Sequence, residues 1–311
     1  MRIFYCVLSL FIMCWCGVSH AGCRTSSSTT SFGSVSSFRL ASDAQKVESG
    51  SGFSCSGSQF SLGGTNTVTV TISRSANGSG NSARLHNSQE GGYIPYKICG
   101  DSSCRNILSI GSSKTWRSSS YGGLLGYFNA VDGTLPLFMS TQTGVNVPAG
   151  RYTDTLTLLW RYHICSYGFF GVCIYTDGTA VSSVSLSMDV DNDCLISSAP
   201  DINFGSASFP SDFRRVSSVL GVRCTKNASY RISLISLNPE SGDWRQMKND
   251  SFFLQYQLYQ PDGSLWSNNR DLTTTGSGET QLINYSARVN PTQPDKPEGF
   301  YQDTVTVTVE Y

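Results

Sequence analysis

The residues of this chain that could do chemistry are three histidines, eleven cysteines and one short aspartate run. Asp189-x-Asp191-x-Asp193 has the alternation that opens a calcium loop. Its sixth position is Cys194 where the sharp turn needs Gly, and its twelfth is Pro200 where a bidentate Glu closes the site. The run therefore reads as a solvated linker. His86 falls in a Gly/Asn/Ser-rich stretch read as a loop, and His163 follows a strand. Neither is accompanied by a Gly-x-Ser-x-Gly turn or another nucleophile signature. The expectation is a protein without catalysis and without a cofactor.

The cysteines tell more. Met1-Arg2, the apolar run from Ile3 to Trp15, and Gly17, Ser19 and Ala21 together have the layout of a secretory signal peptide over 1–21. The run is shorter than the ~20 apolar residues a bilayer-spanning helix needs. Acylation at Cys23 is disfavoured by His20, which stands where that signal wants an aliphatic residue. The remaining cysteines are Cys23, Cys55, Cys99, Cys104, Cys165, Cys173, Cys194 and Cys224. Their even number in an exported chain reads as a disulfide framework. Zinc is disfavoured: the exported part has no Cys-x-x-Cys pair and keeps only His86 and His163.

These residues are positioned by a repeat. Gly150-Arg-Tyr152-Thr-Asp154-Thr-Leu-Thr-Leu158 returns, at one constant offset, as Gly299-Phe-Tyr301-Gln-Asp303-Thr-Val-Thr-Val307. Cys23 with Phe32-Gly33-Ser34 matches Cys194 with Phe204-Gly205-Ser206. Cys55 matches Cys224, and Tyr93-Ile-Pro-Tyr96 parallels Phe253-Leu-Gln-Tyr256. Two homologous domains are expected, over 22–190 and 191–311. The repeat pairs Cys23 with Cys55 and Cys194 with Cys224, and leaves Cys99–Cys104 and Cys165–Cys173 as local staples.

Charged residues are 14% and aromatics 12%, a balance of short strands and small polar turns more than of helical bundles. Val68, Val70 and Ile72, then Val184, Leu186, Met188 and Val190, then Val305, Val307 and Val309 alternate with polar residues, the period of half-buried strands. No stretch carries a helical period. The fold class expected is all-β, two immunoglobulin-like β-sandwich domains. With zero net charge and no Lys/Arg run, no nucleic-acid partner is expected.

The first copy continues past its Tyr152–Trp160 strand to a further alternating strand, Val181 to Val190. The second copy ends at Tyr311. The second sandwich is therefore expected to lack its last strand, exposing an apolar groove and unpaired backbone groups. Another chain can fill such a groove by strand addition. Four or five aliphatic plugs give about 6–15 kcal/mol before ordering costs. Almost no sequence precedes Cys23 after cleavage, so the subunit is expected to accept a strand without giving one.

Cys194 with Phe204-Gly205, Cys224, Arg245 with Met247, Tyr256-Gln-Leu-Tyr259 and the ending Gly299 to Tyr311 resemble the spore coat protein U domain family. The chain more closely resembles the two-domain tip adhesins of archaic (Csu-type) chaperone–usher pili. The resemblance covers nearly the whole exported chain. It implies a periplasmic chaperone, an outer-membrane usher and a next pilin subunit that supplies a donor strand. Val305, Val307, Val309 and Tyr311 would meet the chaperone or donor, the Tyr311 carboxylate anchoring to chaperone basic residues. It further implies export through the periplasm to the pilus tip at the cell surface, with surface attachment and biofilm formation.

Two insertions in the first domain are apolar for loops. One holds Tyr121, Leu124, Leu125, Tyr127 and Phe128. The other, closed by Cys165 and Cys173, holds Tyr167, Phe169, Phe170 and Val172. Leu135, Leu137 and Phe138 are candidates to extend the set. Threaded onto a sandwich, both loops fall at one pole, where they would bind a hydrophobic surface or a host receptor. The alternatives are a glycan-binding adhesin that stacks sugars on Trp116, Tyr121, Trp160 or Tyr167, and a secreted structural or coat protein.

Overall fold

The structure is a computed structural model that describes residues 22–56, 64–118, 127–169 and 172–311, apart from the side chains of 166–169. The first sandwich contains β1 (Gly22–Thr25), β2 (Ser27–Ser36), β3 (Lys46–Gly50), β4 (Phe53–Ser56), β5 (Asn66–Ser75), β6 (Ala83–His86), β7 (Tyr93–Cys99), β8 (Ile107–Leu108), β9 (Ser113–Ser118), β10 (Pro136–Thr141), β11 (Gly150–Phe169) and β12 (Val172–Asp191). One face runs β3-β10-β7-β6 and the other β9-β5-β11-β12-β2, joined through a single bridge between Thr153 and His86. The alternation seen in the sequence decides which side chains turn inward. Val68, Val70 and Ile72 of β5 and Leu156, Leu158 and Trp160 of β11 are fully buried. Trp160 stacks on Phe53 with ring centroids 4.3 Å apart.

The second sandwich contains β13 (Cys194–Ser198), β14 (Val216–Cys224), β15 (Ser229–Ser236), β16 (Arg245–Asn249), β17 (Phe252–Tyr259), β18 (Leu272–Thr275), β19 (Thr280–Val289) and β20 (Val305–Glu310). Its faces run β13-β14-β19-β17-β16 and β18-β15-β20 around a separate core that includes Trp266, Tyr230 and Ile232. The disulfides Cys23–Cys55 and Cys194–Cys224 join β1 to β4 and β13 to β14, equivalent places in the two copies. Cys99 pairs with Cys104 and Cys165 with Cys173.

Only Asn192 and Asp193 separate β12 from β13, so the two sandwiches meet end to end. The Ser37 hydroxyl hydrogen-bonds that of Thr225 at 2.7 Å, and Asn146 Nδ2 donates to the Ser277 carbonyl at 3.0 Å. The Arg223 guanidinium lies over the Phe38 ring, and Pro148 bridges Lys226.

The structure corrects three expectations. A short helix, α1 (Ser37–Ser42), follows β2, its first turn capped by the Ser36 hydroxyl. With six residues it is too short to show a period. His86 sits in β6, not a loop, and stacks on Tyr93 across the ladder. His163 lies inside β11, between Thr67 of β5 and Asp177 of β12, whose carboxylate it meets at 2.7 Å, because β11 runs on to Phe169.

Candidate functional site

The repeated Gly-x-Tyr-x-Asp motif is a structural clamp. Asp154 accepts hydrogen bonds from Ser75 and Tyr96 hydroxyls at 2.6 Å each and from Asn77 N at 3.0 Å. Asp303 accepts from the equivalent Ser236, from Tyr256 at 2.6 Å and from Asn238 N at 3.3 Å. The motif tyrosines donate back to the backbone four residues earlier: Tyr152 to Pro148 at 2.7 Å, Tyr301 to Pro297 at 2.9 Å. Such corners pin a strand start against the opposite sheet. Phe32 and Phe204 then pack edge-on against Tyr96 and Tyr256, at 6.3 and 6.0 Å. Burial, followed by the neighbouring aspartate, pushes the hydroxyls of Tyr96 and Tyr256 up. Both stay protonated donors at physiological pH.

With the clamps superposable in kind, the difference beyond them is informative. In the first sandwich β11 is flanked on one side by β5 and on the other by β12, which in turn pairs in parallel with β2. In the second, β20 pairs with β15 and with no other strand among the described residues. Residues 199–207, the counterpart of β2, belong to no sheet. The same motif positions feel this directly. Leu156, Leu158 and Trp160 are fully buried, whereas their equivalents Val305, Val307 and Val309 are only partly so. They line up opposite Ser236, Leu234 and Ile232 of β15, hence on the inward face. Together with Ile196, Ile202 and Phe204 they edge the second core without being covered. The backbone of β20 offers its free edge beside them. In the first sandwich that place is filled by Val184, Leu186, Met188 and Val190 of β12, each at most 3% exposed. Tyr311 beyond β20 is exposed.

A second surface forms at the pole away from the junction. Asn66 of β5 pairs with Ser118, Thr67 with His163, and Gly22 of β1 with Ser56. Ser56, Asn66, Ser118 and the base of the β11–β12 hairpin therefore lie at this one end. Asn66 Oδ1 accepts from Cys165 N at 2.6 Å, and the Tyr175 hydroxyl accepts from Thr65 N at 3.1 Å. These bonds brace the base of the hairpin. Above them, 166–169 extend the hairpin by about 13 Å at the usual rise per residue.

Of the predicted surface-binding residues, Tyr121, Leu124, Leu125 and Phe170, and the side chains of Tyr167 and Phe169, lie outside the described residues. Tyr127 is exposed, its hydroxyl donating to the Arg117 carbonyl at 3.1 Å. Val172 is exposed. Phe128 is a correction: it packs against the first core. Leu135 and Leu137 are also core, and Phe138 is part-buried on β10. Trp116 and Trp160 are buried, their rings stacked 6.2 Å apart, which takes both from a sugar-stacking platform. Sequence reading missed Ile174, exposed on the same strand face as Val172, and Val131, fully exposed in the loop before β10. The signal for Ile174 was present, since Val172 and Ile174 alternate around Cys173.

No curated protein matches the chain. Among solved structures, it is similar to a chain of the CsuC–CsuE chaperone–tip adhesion subunit pre-assembly complex from archaic chaperone–usher Csu pili of Acinetobacter baumannii. The identity is 28% and the TM-score 0.56, with 93% of this chain and 100% of that one covered. The CupB6 tip adhesin of Pseudomonas aeruginosa is matched at 12% identity and a TM-score of 0.36, over 93% of this chain and 94% of that one, a likeness too remote to argue from. The model of the Spore Coat Protein U domain matches twice, at residues 13–158 and 180–308, in keeping with the two clamped sandwiches. The chain belongs to the Spore Coat Protein U domain family.

Proposed function

We propose that the protein is a pilus-tip adhesin of the chaperone–usher type, exported to the periplasm and displayed at the cell surface. Residues 191–311 form the pilin domain that takes a strand in trans, first from a periplasmic chaperone, then at the outer-membrane usher from the next subunit. Residues 22–190 form the domain that meets the target. The observation that carries this reading is the unpaired edge of β20, whose inward valines are part-exposed where their counterparts in β11 are fully buried. Apolar side chains on an unpaired edge are a liability in a finished fold, and one added strand removes it. Similarity to a chain of the chaperone–tip adhesion subunit complex supports the chaperone as partner.

β12 supplies the pattern of the missing strand: apolar side chains at alternate positions, running antiparallel to the clamped strand. A peptide with the sequence of residues 181–191 is therefore expected to bind the full-length protein and raise the melting temperature of its second domain. A chain that melts at the same temperature with and without peptide, and titrates none of it by calorimetry, contradicts the proposal. At the other pole, the exposed Val172 and Ile174, together with the apolar composition of 121–128 and 165–173, favour attachment to hydrophobic surfaces and biofilm formation. Glycan binding has lost its two tryptophans to the core.

A further inference from the structure

The junction inside this chain shows what happens behind a groove-filling strand. β12 fills the first sandwich, and after Asn192 and Asp193 the next sandwich begins at Cys194. So short a connection presses the following body against the end of the filled domain. The contacts come from α1 and the approach to β11 on one side, namely Ser37, Phe38, Asn146 and Pro148. Thr225, Arg223, Lys226 and the turn at Ser277 meet them from the other.

The equivalent end of the second sandwich is open. In the repeat alignment Phe209-Pro210 stands where Ser37-Phe38 stand, and Pro297 where Pro148 stands. This end carries Phe209 (53% exposed), Leu237 (79%), Phe252 (46%) and Phe300 (80%). Leu237 N donates to the Thr304 carbonyl, and Phe252 opens β17 opposite Asn249, against which Gly299 lies. A cleft of about 640 Å³ between Leu237, Lys248, Asp250, Gln302 and Thr304 notches the same end. Large apolar side chains this exposed at one end of a domain mark a contact surface.

We infer that this end face is a second docking surface, on which the body of the strand-donating subunit sits end-on, as the second sandwich sits on the first. The inference rests on the strand-acceptor reading and adds a partner surface to it. The occupant is a further domain of this family without inserted loops. A second copy of this chain is unsuited, because in its first sandwich nine residues separate β4 from β5 and seventeen separate β9 from β10, where only four separate β14 from β15 and four β18 from β19.

Two probes separate strand from body. One is the peptide of residues 181–193. The other continues that peptide into residues 194–311, its own groove closed by a tethered second copy of 181–191 behind Tyr311. Both are bound to the immobilised full-length chain and their dissociation is followed. The longer probe is expected to leave about tenfold more slowly, the scale of one or two buried aromatic anchors. Phe300→Ser with Leu237→Ser, both at exposed positions, should abolish that margin and leave the peptide's rate unchanged. Equal rates from the native chain, or a margin that survives the double substitution, overturn the inference. A peptide that does not bind at all sinks the strand-acceptor reading itself.

Discussion

Val307 and Leu158 occupy the same motif position, so truncating each asks how much of the second core is left uncovered. Leu158 is fully buried, and Leu158→Ala should destabilise the first sandwich by about 2–5 kcal/mol. Val307 and Val309 are part-exposed, so part of their burial remains to be gained. Each Val→Ala change removes the equivalent of two methylenes, about 1.6 kcal/mol when fully buried. Roughly half of that is already realised in the open groove. The rest, about 0.8 kcal/mol per valine, appears only when a strand covers them. The double change Val307→Ala, Val309→Ala is therefore expected to weaken binding of the 181–191 peptide about fifteenfold, with Leu158→Ala leaving it unchanged. Isothermal titration on the full-length variants, with melting curves recorded in parallel, measures both quantities. Equal affinity of the double variant and the native chain would refute the reasoning, because the valines would then not line the binding surface.

Two further outcomes follow from the clamps and the distal pole. Burial holds the Tyr96 and Tyr256 hydroxyls protonated well above the ordinary tyrosine range, and pushes Tyr152 up to about 12. The folded state thus resists a deprotonation that the unfolded chain undergoes near pH 10. Stability from these groups is fully present below about pH 10 and falls as pH rises beyond it; urea midpoints should hold from about pH 8 to 10 and decline from about pH 10 to 11, less steeply in Tyr256→Phe. At the distal pole, Val172→Ser with Ile174→Ser alters exposed residues and should change stability by less than about 0.5 kcal/mol. Attachment of pili bearing this variant to polystyrene should drop, and further with Phe169→Ser and Phe170→Ser; undiminished attachment counts against the loops as the contact.

Much of this architecture is legible in the sequence because the repeat and the period-2 pattern constrain each other. The recurrence of Gly-x-Tyr-x-Asp locates two strand starts, and the structure gives the reason for each letter: a hydroxyl tying the corner, and a carboxylate gathering Ser75 and Tyr96 or Ser236 and Tyr256. What the pattern could not separate is apolar residues in the core from apolar residues at the surface. Leu135 and Leu137 read like the neighbouring insertion, yet they turn inward: Pro136 pairs with Gly50 of β3, Leu135 N donates to the Phe53 carbonyl, and both leucines join the core that holds Phe53. Val131, a few residues earlier, precedes that pairing and stays in solvent. Burial there is decided by a strand partner nearly ninety positions away (Gly50 against Pro136), which no local window contains.

The same non-locality gives β12 its place in the argument. By sequence it is the last strand of the first domain; by connectivity it is the segment that leads, after two residues, into the second. Its four plugs complete a fold whose other strands all precede it, and its register against β11 runs without a break from Val190 to Tyr175. A domain completed by the segment in front of its successor can be completed equally well when that segment belongs to another polypeptide, since neither the plugs nor the edge hydrogen bonds depend on a covalent link to the acceptor. The long β11–β12 hairpin is then what distinguishes the two copies. In the first it tethers the completing strand and carries the exposed Val172 and Ile174; in the second, β20 pairs with β15 alone among the described residues, and its other edge, beside Val305, Val307 and Val309, carries no strand there.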